Sequence, residues 1–244
     1  MRTLRDIIPG GGGRASLSLW ERAKRRPEAP EGVRADNPAL RTDPPFHLYL
    51  SHASADFLLV ERVWRILDSI GLRAYMYEHN THPGRSPRDA VLGAIADSAE
   101  VVSFLTEAGA GSAWVHQELG AVHALGKGLI PWLDAATPQA PGFAEFDHPV
   151  LYDPRRPEAA IAALLWLVRH DFDLFEGLLN IECPQCRNFL TFGLPGVEQC
   201  RNAQDAGTLL TSDPCPRCRF SVYISPWTLE PIAEQLALSR AWSE

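Results

Sequence analysis

The run Leu48-Tyr49-Leu50-Ser51-His52-Ala53-Ser54-Ala55-Asp56 passes from strand to helix in a single step. Phe46 to Leu50 is compact, aromatic and aliphatic, the texture of a buried strand. Ser54 can cap a following helix, with Asp56 in the first turn where the helix dipole favours negative charge. Within that helix Val60, Val63, Trp64 and Leu67 fall at i, i+3, i+4 and i+7, one apolar face. Gly71 stops it, Leu72 to Tyr77 forms a second strand, and a Pro/Gly loop runs through Ser86.

The same alternation continues outward. Ser86-Pro87-Arg88-Asp89 reads as a helix start, with proline at the first helical position and Leu92 and Ile95 on the apolar side. Glu100 to Leu105 is a third strand. Ser112 caps a helix from Ala113 to about Leu125, and Gly126 and Gly128 bracket Lys127 at its end. Leu129 to Leu133 is a fourth strand, expected to end early because Pro131 cannot donate in a central ladder. A short strand near Val150 to Tyr152 and a long helix from about Glu158 to Leu178 complete the unit. Strands alternating with helices at this spacing imply an α/β fold, a flavodoxin-like open parallel sheet with helices on both faces.

Composition sets outer limits. The chain of 244 residues is 45% hydrophobic and 22% charged, which fits a folded protein, and its net charge of −7 gives no global field for a phosphate backbone. Residues 1–45 carry the glycine run Gly10 to Gly13 and repeated prolines, and read as a flexible N-terminal arm. The longest apolar run, Ala159 to Val168, is ten residues, against about 20 for a spanning helix. The N-terminus lacks the apolar core of a signal peptide, so no membrane association and a cytoplasmic location are expected. Residues 46–152 form the main domain, 153–180 a connecting helix, 181–226 a cysteine module and 227–244 a C-terminal helix from about Leu229 to Trp242.

Four separate motifs in the main domain resemble one family. Leu48 to Asp56 is similar to the opening of a Toll/interleukin-1 receptor (TIR) domain, where the first strand ends in Ser-His. Pro83-Gly84-Arg85-Ser86 resembles that family's loop after the second strand. Trp114-Val115-His116-Gln117-Glu118 resembles its Trp-x-x-x-Glu, and Gly126 to Pro131 the Gly-Lys-x-Ile-Pro stretch leading into its fourth strand. Two positions depart from the pattern. Glu78-His79-Asn80 stands where an aspartate would align more simply, and Pro87 replaces an aromatic residue after the loop serine.

The resemblance implies a catalytic role for Glu118 in an NAD+ glycohydrolase or cyclase that is activated by self-association in a defence or signalling setting. It implies NAD+ as substrate, contacted by Ser51, His52, Pro83, Gly84, Arg85, Ser86 and Trp114. The residues are compatible with that chemistry. On a helical wheel Val115, Leu119 and Val122 make the buried stripe and Glu118 lies roughly 60–70° to one side, a boundary position. Nicotinamide leaves NAD+ neutral, so no general acid is needed, and one carboxylate can both stabilise an oxocarbenium-like transition state and hold ribose hydroxyls. In open α/β sheets ligands sit beyond the carboxyl ends of the strands, where Ser51, His52 and the loop to Ser86 lie. Neither Gly120 to Lys127 nor Gly109 to Trp114 has the spacing of a P-loop or a dinucleotide fingerprint. The competing reading is a non-enzymatic adaptor module.

Cys183-Pro184-Gln185-Cys186 and Cys215-Pro216-Arg217-Cys218 pair as two metal knuckles, and Cys200 is left over. Four thiolates fill a tetrahedral shell, so the expected ligands Cys183, Cys186, Cys215 and Cys218 imply a structural Zn2+ in a small zinc ribbon; a redox dithiol pair is the alternative. Arg187, Arg201, Arg217 and Arg219 are diluted by Glu182, Glu198, Asp205 and Asp213, which favours a protein partner for this module over nucleic acid.

Overall fold

A computed structural model describes residues 45–80, 84, 86–136 and 149–232, in two compact units. The first comprises the described residues of 45–68 and 72–164, the second 69–71 and 165–232. The N-terminal arm lies outside the described residues.

The first unit is built on five parallel strands: β1 (Phe46–Ser51), β2 (Ala74–Tyr75), β3 (Ser98–Leu105), β4 (Gly128–Asp134) and β5 (Val150–Tyr152). Their order is β2-β1-β3-β4-β5, the flavodoxin-like arrangement. Between them run α1 (Phe57–Ser69), α2 (Pro87–Ala96), the short α3 (Glu107–Ala110) and α4 (Ala113–Ala124), with α5 (Pro157–Asp171) after β5. Strand order reverses between β1 and β3, which opens a crevice at their carboxyl ends.

Side chains alternate across the sheet as the pleat requires. Tyr49, Tyr75 and Val101 pack with Val91, Ala94 and Ile95 of α2 and Val122 of α4. Leu105 and Leu133 pack with Val115 and Leu119 of α4. Two capping serines start these helices as expected: Ser86 Oγ accepts from Asp89 N at 3.1 Å and Ser112 Oγ from Val115 N at 3.4 Å. Lys127 Nζ donates to the carbonyls of Ala96 and Ser98, each at 2.7 Å, so the Gly-Lys-Gly motif closes the amino end of β3.

Several elements differ in detail from expectation. Ser54 opens a 3-10 turn rather than capping α1, and the buried face of α1 is Val60, Val63, Ile66 and Leu67, with Trp64 at its margin. Trp64 sits there because its indole N–H reaches Ala74 O at 2.8 Å. Leu92 is exposed, and the core side of α2 is Ala90, Val91, Ala94 and Ile95. β2 shrinks to Ala74–Tyr75, since Tyr77–His79 turn into a 3-10 helix. β4 continues through Pro131 to Asp134, and its pairing with β5 begins only at Trp132, one residue beyond the missing donor.

The second unit contains a hairpin of β6 (Leu178–Glu182) and β7 (Phe189–Gly193), then α6 (Val197–Ala206) and a three-stranded sheet of β8 (Leu210–Thr211), β9 (Tyr223–Ile224) and β10 (Pro231–Ile232). The helix expected to reach Leu178 ends at Asp171: Asp173 turns left-handed at φ 53°, and the Arg169 guanidinium caps Leu174 O at 3.0 Å. The expected C-terminal helix does not start at Leu229, which has φ 60° and leads into β10. Its residues from 233 onward lie outside the described residues. No helix among the described residues is long and apolar enough to cross a membrane.

Candidate active site and metal centre

Period-two alternation on β1 sends Tyr49 and Ser51 to the same face of the sheet, the face covered by α4. Both meet one side chain there. Tyr49 donates to Glu118 Oε1 at 2.6 Å, and Ser51 Oγ donates to Glu118 Oε2 at 2.5 Å. The Trp114 indole stands one helical turn earlier on α4, on the same side as the carboxylate, and its N–H favours the charged form. Glu118 is 4% exposed, so it is a buried group and not the boundary residue that a wheel of its own helix suggests.

Electrostatics follow from that burial. Desolvation raises the Glu118 carboxyl above its ordinary 4.5, while the hydrogen bonds from Ser51 and Tyr49, the nearby Trp114 N–H dipole and the charge of His52 when protonated pull the other way. Tyr49 is pushed upward by burial and by the neighbouring Glu118 carboxylate, so it is fixed as a proton donor. Its ring stacks on Tyr75 at 5.4 Å with 14° between planes, which holds the hydroxyl in place.

The carboxylate borders a cavity of about 250 Å³ beyond the end of β1. Its walls include Tyr49, His52, Ser54, Tyr77, Glu78, Pro87 and Trp114. The structure therefore brings Glu118, His52 and Trp114 to one cavity. Trp114, 42% exposed, forms part of the rim. Ser51 lies behind Glu118 and holds it. Ser86 caps α2, and Gly84 occupies a left-handed turn at φ 84° where a side chain would be strained. Neither lines the cavity. Pro83 and Arg85 lie outside the described residues.

Sequence reasoning passed over Tyr49, Tyr77 and Glu78. The alternation that pairs Tyr49 with Ser51 was the signal for the first. For Glu78 it was the acidic character of the segment after the second strand, which the structure carries to the cavity wall. Glu78 Oε1 comes 3.3 Å from His52 Nε2, and His52 Nδ1 donates to Leu50 O at 3.0 Å.

Residues 48–165 match the family model described as TIR domain. The chain carries a TIR domain. Solved structures similar to it include the TIR domain of the Toll-related receptor TRR-2 from Hydra magnipapillata. That match has 15% identity and a TM-score of 0.43, over 51% of this chain and 98% of the other. A metazoan TIR-STING receptor from C. gigas, solved in complex with 2',3'-cGAMP, matches at 22% identity with a TM-score of 0.41, over 51% of this chain. The match spans 41% of that receptor. Comparison with curated proteins returns no match.

Outside the TIR domain the four paired cysteines converge. Their sulfurs all lie within 4.8 Å of one another, with Cys183 to Cys218 and Cys186 to Cys215 each at 3.7 Å. Four sulfurs held about 2.3 Å from a common centre stand about 3.8 Å apart, so the cluster has the dimensions of a tetrahedral metal-thiolate site. Both knuckles are built alike. Cys183 N donates to Asn188 O and Arg187 N to Cys183 O, and the same pattern joins Cys215 N to Phe220 O and Arg219 N to Cys215 O. Arg187 and Arg219 both turn left-handed, at φ 57° and 61°.

Burial pushes the Cys215 thiol up, and the backbone N–H groups of Cys218 and Arg217 more than offset it, holding it at about 7. For Cys218 the Phe220 N–H favours the thiolate, yet burial and the shared protons of Cys186, Cys183 and Cys215 drive it up to about 12. Four sulfurs this close cannot all ionise without a cation among them. The cluster is compatible with a zinc ribbon. Cys200 lies apart, buried beside Arg169.

Proposed function

We propose that the TIR domain cleaves the nicotinamide–ribose bond of NAD+ and that Glu118 is its catalytic carboxylate. The observation supporting this reading is a buried glutamate, fixed by Tyr49 and Ser51 at the floor of a cavity whose rim carries an exposed tryptophan. Nicotinamide departs with the bonding pair and becomes neutral, leaving positive charge shared between C1′ and the ring oxygen of ribose. A carboxylate already oriented and shielded from water stabilises that charge without reorganising. Trp114 offers a flat apolar wall against which nicotinamide can stack.

The cavity, at about 250 Å³, is below the usual 300–1,000 Å³ of sites for drug-sized ligands and suits the nicotinamide-riboside half of the substrate. The remaining half then needs surface from outside this cavity, and its supply by a neighbouring TIR domain fits activation by self-association in a cytoplasmic signalling or defence role. Zn2+ is the metal we assign to Cys183, Cys186, Cys215 and Cys218. With all four positions taken by thiolates its role is to hold the second unit folded, and that unit serves as a protein-docking module.

Incubating the full chain with NAD+ at high protein concentration and following free nicotinamide tests the reading. Release is expected to rise faster than in proportion to protein concentration. No release, even under crowding that forces assembly, would transfer the assignment to a non-enzymatic docking module.

A further inference from the structure

We infer that His52 and Glu78 together accept the proton of the water that completes the reaction, so that the product is open-chain ADP-ribose. This rests on the NAD+ reading above. Departure of nicotinamide needs no base, but capture of the ribosyl cation by water does, because the attacking water must shed a proton.

Glu118 is poorly placed to take it. One of its oxygens accepts from Tyr49 and the other from Ser51. Tyr49 is a donor in that set. His52 is arranged differently. Its Nδ1 faces the carbonyl oxygen of Leu50 at 3.0 Å, and a carbonyl only accepts, so the ring hydrogen sits on Nδ1. In the neutral ring, the form that can act as a base, Nε2 therefore carries the lone pair.

That nitrogen is buried and makes no hydrogen bond, and the side chain is only 4% exposed. A buried polar atom left unpaired costs about 1–3 kcal/mol. One standing in a cavity wall points to a partner that arrives with substrate, here the attacking water.

Glu78 Oε1 lies 3.3 Å from Nε2, off the line of a hydrogen bond, and its side chain is 34% exposed. The step then balances simply. The water oxygen bonds to C1′, one O–H bond breaks, and its proton goes to Nε2. The resulting imidazolium lies beside the Glu78 carboxylate and in the field of Asp56 and Glu118. Glu78, which reaches solvent, carries the proton out. Nothing is oxidised or reduced. A nucleophile without a proton to lose gains nothing from this pair.

The test exploits that difference. The full chain is given NAD+ with and without a pyridine base such as 3-acetylpyridine, and base exchange is compared with hydrolysis. His52→Asn keeps a side-chain N–H for Leu50 O while removing Nε2. It is expected to raise the ratio of exchange to hydrolysis at least tenfold, since positioned bases contribute about 10²–10⁴-fold to the step they serve. Glu78→Gln should raise it in the same direction and by less.

An unchanged ratio in His52→Asn, whether both reactions fall together or neither falls, would overturn the assignment of the pair and leave the Glu118 reading standing. A cyclic product as the main product of the wild-type chain would also overturn it. A wild-type chain that neither hydrolyses nor exchanges would overturn both readings at once.

Discussion

Burial disfavours the charged form of Glu118, and replacing it with glutamine should show what that charge costs in stability. Burial raises its carboxyl, so from pH 4.5 up to the raised native value the folded chain holds a proton that the unfolded chain has lost. Through that window stability falls as pH rises, and above it the deficit is fully present. Glu118→Gln removes the charge and keeps the shape. The Tyr49 and Ser51 hydroxyls can accept as well as donate, so the amide N–H group and the carbonyl both find partners.

Two charge-assisted bonds of about 1.5–3 kcal/mol each become neutral ones of about 0.5–1.5, while an ionic desolvation penalty of several kcal/mol is relieved. The balance is a variant about 1 kcal/mol more stable at neutral pH, or about 2–4 °C in Tm for a protein of this size. Glu118→Ala should go the other way, because it strands two buried hydroxyls at about 1–3 kcal/mol each. Thermal unfolding of the three proteins from pH 5 to 8, followed by near-UV circular dichroism, measures this. If Glu118→Gln melts well below wild type at pH 7.5 and keeps the wild-type pH slope, the reasoning fails.

Tyr49→Phe removes the donor to Glu118 Oε1 and should move the acid limb of NAD+ turnover to higher pH, since the carboxylate is the working form; a pH–rate profile reads the shift. One zinc per chain is expected by elemental mass spectrometry, and Cys215→Ser or a chelator should remove it and melt residues 165–232 while β1 to β5 persist. Gly109→Ala would place a Cβ 1.9 Å from the carbonyl oxygen of Phe104 and should lower the urea midpoint by the equivalent of about 3 kcal/mol.

The five-strand core was legible because each of its signals is local: cap residues before helices, apolar runs for strands, glycines at stops. The site was legible only in part. A helical wheel places Glu118 relative to the axis of α4, but whether it is buried depends on what β1 presents across the crevice, and that is a contact between residues far apart in sequence. Ser51 and Tyr49 belong to that same contact, which is why one read as a substrate ligand and the other as strand filling.

Glu78 was obscured by a 3-10 turn that shortens β2 and shifts the acidic residue from the expected alignment. At the other end, a helix is expected from about Leu229 although Pro231 stands within its first turn. Leu229 turns left-handed instead, and Pro231 pairs with Ile224 of β9. The cysteine pairs were readable in full as a set, since short knuckles with fixed ligand spacing carry their geometry in the sequence itself.

The central claim, that the carboxylate of Glu118 cleaves NAD+, is tested most directly by nicotinamide release from the wild-type chain and from Glu118→Gln, matched for zinc content and melting profile. The account predicts turnover by wild type and a loss of at least about 10²–10³-fold in the variant, the usual cost of removing one preorganised electrostatic group. Turnover that survives the substitution within a few-fold would contradict it.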